Sequence, residues 1–169
     1  MMNDSFIKTF FSFPETINDV AARFVALGVV IFSTVTLVLV VNESEIGTYF
    51  SFILMYGFFA RASSGPKISP LALIVTKFIV PNLKFKEKMV PGPPKRFAQS
   101  IGLIITALSS VFLVLGLSNI AIGLLVILIF FASLESFFGF CFGCKLFKFL
   151  MYIKIIPEDV CEKCNNLEF

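Results

Sequence analysis

Four cysteines stand in two pairs, Cys141-Phe-Gly-Cys144 and Cys161-Glu-Lys-Cys164, and the chain has no others. The pattern is C-x2-C-x16-C-x2-C, and it supports two chemistries. Two such pairs match the spacing of a tetrahedral zinc site built from four thiolates, one ion per chain. The same spacing within each pair suits a dithiol that closes into a small disulfide ring, so the pairs could relay a disulfide or sulfane sulfur. A reducing compartment keeps all four as thiols, ready for either role. As plain packing residues, Cys141 and Cys144 would share one helix face at i, i+3. That reading does not extend to Cys161 and Cys164, which lie in a polar segment. If Gly143 breaks the helix before it, Cys144 caps the next one and the helix dipole favours its thiolate; if the helix runs through, that activation vanishes.

The chain has no histidine. This removes the commonest general base, a histidine-based triad and haem held by histidine. Gly-rich phosphate loops are also missing from the sequence. Any bond-making chemistry must come from cysteines or carboxylates; the expected cofactor is zinc or none, with iron, alone or as a cluster, less expected at these spacings.

Glu135 is the second signal, because it lies inside an apolar run about 9 Å along a helix from Cys141. A carboxylate there must be paired or neutral. Gly139 and Gly143 follow at i+4 and i+8, so that face is small and packs closely on a neighbour. Arg61, Arg23 and Arg96 enter at the same depth and are the candidate partners, in a structural ion pair that locks helices together.

The elements that carry these residues are membrane helices. Of the 169 residues 57% are hydrophobic, and mean hydropathy is +0.94. A soluble domain of this size has too much surface to hide that much apolar area. Four segments, 20–41, 46–64, 97–117 and 120–140, approach the ~20 residues a helix needs to cross the hydrocarbon core; the second is the shortest and relies on Arg61 to snorkel. The expectation is an all-α integral membrane four-helix bundle. It consists of two antiparallel transmembrane hairpins with short interfacial helices, in one domain over 1–169. All 14 basic residues lie on one side of these segments. Basic connectors stay cytoplasmic, so both termini, the loop 65–96 and the cysteine-containing tail 141–169 are expected there, in a multi-pass protein of the inner membrane.

Lys84, Lys86, Lys88, Lys95 and Arg96 form a basic cluster that anchors to anionic headgroups; beside four apolar spans it does not read as a nucleic-acid surface. The start of the chain lacks the basic n-region and cleavage site of a signal peptide, so the first segment is expected to remain. Phe6, Phe10, Phe11 and Phe13 suit an interfacial helix or a tail. The stretch 70–80 is half a span bounded by prolines and reads as interfacial or re-entrant. Pro91-Gly92-Pro93-Pro94 reads as a rigid extended connector, and 146–156 as a helix along the cytoplasmic face.

Four stretches resemble a bacterial membrane family catalogued only as domain of unknown function 4395. They are Asn18-Asp19-Val20-Ala21-Ala22-Arg23-Phe24, Ser69-Pro70-Leu71-Ala72, Pro93-Pro94-Lys95-Arg96-Phe97-Ala98-Gln99, and Leu134 through Lys145 with its Phe-Cys-Phe-Gly-Cys-Lys end. The resemblance covers most of the chain. It departs at Phe147, where the family often has Tyr, and at Val25, where it often has Asn. The resemblance implies a bacterial membrane protein that keeps company with thioredoxin-like and sulfur-metabolism proteins, an association rather than an activity.

Three functions follow as expectations. The first is a membrane thiol protein handling disulfides or sulfur through Cys141, Cys144, Cys161 and Cys164. The second is a non-enzymatic scaffold or subunit whose tail is pinned by zinc. The third is a small transporter or channel component. Four helices enclose too little space for a pathway, so the third needs a homo-oligomer.

Overall fold

The computed structural model describes residues 13–83 and 88–157. Their element order is β1 (Thr16–Asn18), α1 (Asp19–Val41), α2 (Glu45–Ser64), a 3₁₀ turn (Gly65–Lys67), α3 (Pro70–Ile74), a π turn (Val75–Ile79), α4 (Val80–Leu83), β2 (Met89–Pro91), α5 (Gly92–Val114), α6 (Ser118–Phe138) and α7 (Phe142–Tyr152). Among the described residues three helices are long and apolar enough to cross a membrane: Asp19–Val41, Gly92–Val114 and Ser118–Phe138. The expectation had four. The second segment forms a 20-residue helix, α2, but with Glu45 at one end, Arg61 near the other and Thr48 and Ser51 between, it holds no uninterrupted stretch as apolar as those of the other three.

Polarity in the helices runs opposite to that of a water-soluble protein. Ser33 and Thr36 of α1, Ser51 of α2, and Thr106, Ser109 and Ser110 of α5 are buried, while Ile31, Val38, Ile104, Val114 and Phe130 are exposed. Helices in lipid gain nothing from hiding apolar side chains from one another; close approach and internal hydrogen bonds hold them. Ser51 Oγ and Ser110 Oγ lie 2.8 Å apart across α2 and α5. Ser33 and Thr36 instead return their hydroxyls to α1, donating to Val29 O at 2.6 Å and Phe32 O at 2.8 Å. Helix α1 packs on α2 and α6, and α5 packs on α2, α6 and α7.

A short β clip ties the starts of two spans together. β1 and β2 pair antiparallel, with Thr16 opposite Pro91 and Asn18 opposite Met89. Gly92 N donates to Glu15 O and Asp19 N to Lys88 O, both at 2.7 Å. A side chain at Gly92 would run into Pro14 O. Asn18 caps α1 by accepting the Val20 N–H at 3.0 Å. Helix α5 begins at Gly92, five residues before the expected start. Pro93 and Pro94 sit in its first turn, where the missing N–H costs nothing and the fixed φ is already helical. The clip thus brings Asp19 and Lys95, each near a helix start, to the same level.

At the other end of the site α6 stops at Phe138. Gly139 takes the left-handed conformation (φ 67°, ψ 15°). Its N–H donates to Glu135 O, and that of Phe140 to Leu134 O, each at 3.1 Å. A Cβ on Gly139 would also meet the Arg23 guanidinium. Gly139→Ala is expected to lower stability by about 1–2 kcal/mol from the backbone alone, read by chemical unfolding in neutral detergent. Wild-type stability in that variant would show that the turn relaxes freely.

Candidate functional site

The three-residue turn after α6 sets Cys141 in extended backbone (φ −87°, ψ 101°) as the cap of α7, where its sulfur accepts the Cys144 N–H at 3.4 Å. Of the two alternatives for Gly143 neither holds as stated: the helix breaks at Gly139, within two residues of the expected end at 140, and the capping cysteine is Cys141 rather than Cys144. Gly143 serves a different purpose. It sits in the first turn of α7 directly against Ala98 of α5, and a Cβ there would collide with the Ala98 backbone. The glycine therefore lets α7 lie close on α5, with Phe147 against Phe97 below it, ring centroids 5.6 Å apart.

Cys141 is buried and Cys144 half-buried, both as free thiols. Both line a cavity of about 200 Å³ together with Asp19, Lys88, Lys95, Lys145 and Lys148. The α7 N-terminus adds partial positive charge from its open N–H groups. Lysines thus outnumber carboxylates around the two sulfurs, and a cationic neighbour is one of the features that favour a thiolate.

Lys95 organises the floor of this cavity. Its Nζ lies 2.8 Å from Glu135 Oε1 and 3.0 Å from Asp19 Oδ1, and its side chain is 7% exposed. One ammonium thereby joins the starts of α1 and α5 to the last turn of α6. The close partner of Glu135 is thus Lys95, while of the expected arginines Arg61 interacts with the carboxylate only through space. Arg61 donates through Nε to Gln99 Oε1 at 2.8 Å and through Nη1 to Ser69 Oγ at 3.3 Å. Arg96 donates to Ala62 O at 3.0 Å and lies over Phe13. Arg23 rests over Gly139, at the end of α6 where exposed carbonyls favour a cation. Depth alone favours the arginines; the β clip puts the shorter Lys95 side chain nearest the carboxylate. Asp19 and Lys95 were not singled out as a pair from the sequence, because the two meet only when strands 70 residues apart pair.

The Cys144 thiol is pushed up from its ordinary pKa, chiefly by its hydrogen bond to Cys141, then by burial, against an opposing pull from Lys95. The folded chain therefore keeps a proton that the unfolded chain releases near pH ~8.5. The contribution to stability is complete below that pH and is lost as pH rises past it. The unfolding midpoint of the reduced protein is expected to fall above about pH 8.5, and Cys144→Ala is expected to flatten that slope. An equal slope in the variant would assign the effect to other groups.

Cys161 and Cys164 lie outside the described residues, as do Lys84, Lys86 and the aromatic start at Phe6, Phe10 and Phe11. Among the described residues no group of three or more potential metal ligands occurs. Cys141 and Cys144 together supply half of a four-thiolate set.

A family model described as Domain of unknown function (DUF4395) matches residues 17–152, a span that takes in the clip, Lys95, Glu135 and the first cysteine pair. No curated protein and no solved structure matches the chain.

Proposed function

The chain belongs to the DUF4395 family, whose description assigns no activity, and we propose from the geometry of Cys141 and Cys144 that it is a multi-pass inner-membrane protein handling disulfides or sulfur at the cytoplasmic face. The observation that carries this reading is the cap: Cys141 at the start of α7 receives the Cys144 N–H inside a lysine-lined cavity. A first cysteine held by a helix N-terminus, with its partner one turn on, is the arrangement in which a dithiol exchanges with a disulfide.

The exchange divides between the two residues. Cys141, as thiolate, attacks one sulfur of a substrate disulfide, and the other sulfur leaves as thiolate and takes a proton. Cys144 then loses its proton and attacks the Cys141 sulfur of the mixed disulfide. The second substrate thiol leaves, and a Cys141–Cys144 disulfide remains. The protein has been oxidised by two electrons and the substrate reduced to two thiols. The raised Cys144 pKa fits the second role, since a resolving thiol that keeps its proton does not compete in the first step.

The membrane setting rests on the three apolar helices and on the outward apolar face of α2. There Phe52, Ile53, Tyr56 and Phe59 are all exposed, so α2 completes a fourth span in this reading. The concentration of lysines around the thiol cavity and in the loop before β2 supports a cytoplasmic orientation. A thioredoxin-like protein is the natural exchange partner in that compartment. The second reading, a zinc staple, is favoured by the side-by-side placement of Cys141 and Cys144 on one helical turn, with Cys161 and Cys164 supplying the remaining thiolates.

The test uses the reduced full chain in neutral detergent, treated with oxidised glutathione and digested for mass spectrometry. The expected product is an intramolecular Cys141–Cys144 disulfide with two glutathione thiols released per chain. Glutathione left stably attached, or no reaction at all, would refute the exchange.

A further inference from the structure

A second cavity, of about 320 Å³, lies between the start of α1, the end of α2 and the helical run of α3 and the π turn. Its size lies within the range of small-molecule sites. Ile17, Ala21, Ala22, Val25 and Ala72 give it apolar walls, and Arg61 and Gln99 reach it from one side. Thr76 enters from the π turn, an irregularity that recurs where helices shape binding sites.

Arg61 is the unusual member. It is 5% exposed, and the contacts it makes are to neutral groups: Gln99, Ser69 and the Phe58 ring at 4.5 Å. Lys95, rather than Arg61, makes the close ion pairs to Asp19 and Glu135. A buried guanidinium whose hydrogen-bond contacts are all neutral, with Glu135 acting on it only through space and itself held by Lys95, leaves its positive charge incompletely compensated inside an apolar wall. The Arg61 fork also matches a carboxylate in shape.

We propose that this cavity binds a single-chain carboxylate amphiphile, with the carboxylate on Arg61 and the acyl chain along the apolar wall formed by α1 and α3. The charge of Arg61 calls for an anionic head, and the apolar walls call for a hydrocarbon tail. The limited volume admits one chain where a phospholipid would bring two. The site shares Lys95 with the thiol cavity but contains neither sulfur, so it stands independently of the exchange chemistry.

The test is a titration of delipidated full chain in maltoside detergent with dodecanoate and, separately, dodecanol, read by native mass spectrometry and calorimetry. Dodecanoate is expected to bind once per chain, at least roughly tenfold more tightly than dodecanol, as a charge-assisted contact requires. Arg61→Gln removes that preference and Arg61→Lys keeps most of it, while Ala22→Phe fills the cavity and weakens both ligands. Equal affinity for acid and alcohol would overturn the proposal, as would a preference that survives Arg61→Gln. Complete displacement of dodecanoate by phosphatidylglycerol would assign the site to a lipid headgroup instead. Tight binding that appears only when residues 1–12 are removed would assign it to the chain's own start.

Discussion

Cys144→Ser is expected to convert the protein into a trap. With Cys141 intact, the variant attacks a disulfide once and then stops as a mixed disulfide, stable to non-reducing electrophoresis. The resolving attack comes from a group held one helical turn away, so its loss is expected to slow release at least about a hundredfold. Cys141→Ser should show the opposite result. It forms no adduct, and exchange falls to the rate without protein, because Cys144 lacks the helix-end position and is half-buried. The asymmetry is the informative part. Two cysteines serving a metal, or merely filling space, would give variants that resemble each other. Trapping through Cys144 in the Cys141→Ser variant would reverse the assignment of roles.

Lys95→Met carries the largest expected cost in stability. The substitution preserves the length of the side chain and removes the charge, leaving Asp19 and Glu135 facing each other without their shared cation. Breaking a buried ion pair from one side typically costs about 3–5 kcal/mol. The lower end of that range applies here, because Asp19 retains some contact with solvent. Unfolding in mixed micelles reads the loss. Neutralising both carboxylates in the same background, as Asp19→Asn with Glu135→Gln, is expected to recover most of it, since the penalty comes from the orphaned charges. A Lys95→Met protein as stable as the wild type would mean that the triad is ornamental. Because Lys95 also lines the thiol cavity, the charge-neutral triple variant separates stability from reactivity. It should fold, yet exchange more slowly.

The helices were legible because long apolar runs admit few other structures, and the boundaries that failed did so for identifiable reasons. The end of α6 is legible to within two residues, but the run from Phe137 to Phe142 stays aromatic on both sides of Gly139, so hydropathy does not show that a new helix opens at once behind it. The signal for that start is a glycine after the last turn of a helix, followed by a small polarizable residue able to cap the next. Pro91-Gly92-Pro93-Pro94 reads as extended from proline content, yet prolines also open helices, and the strand that fixes the choice is supplied by Thr16–Asn18 far away in sequence. The same long-range pairing hid the ion pair of Glu135. Reasoning by depth found the right carboxylate and the right need for a partner, but Arg61 was drawn off by Gln99 and Ser69. The cysteine pair was visible from spacing; its polarity, with Cys141 as cap and Cys144 behind it, depended on where α6 stopped.

The claim on which the rest depends is that Cys141 and Cys144 are held as an exchangeable dithiol. Metal analysis and thiol titration on one anaerobic preparation of the full chain test it together. The expected result is a protein free of stoichiometric zinc, with all four thiols titrating without a chelator and the Cys141–Cys144 pair closing reversibly in glutathione buffers. One zinc per chain, with thiols that stay silent until the metal is stripped, would contradict it.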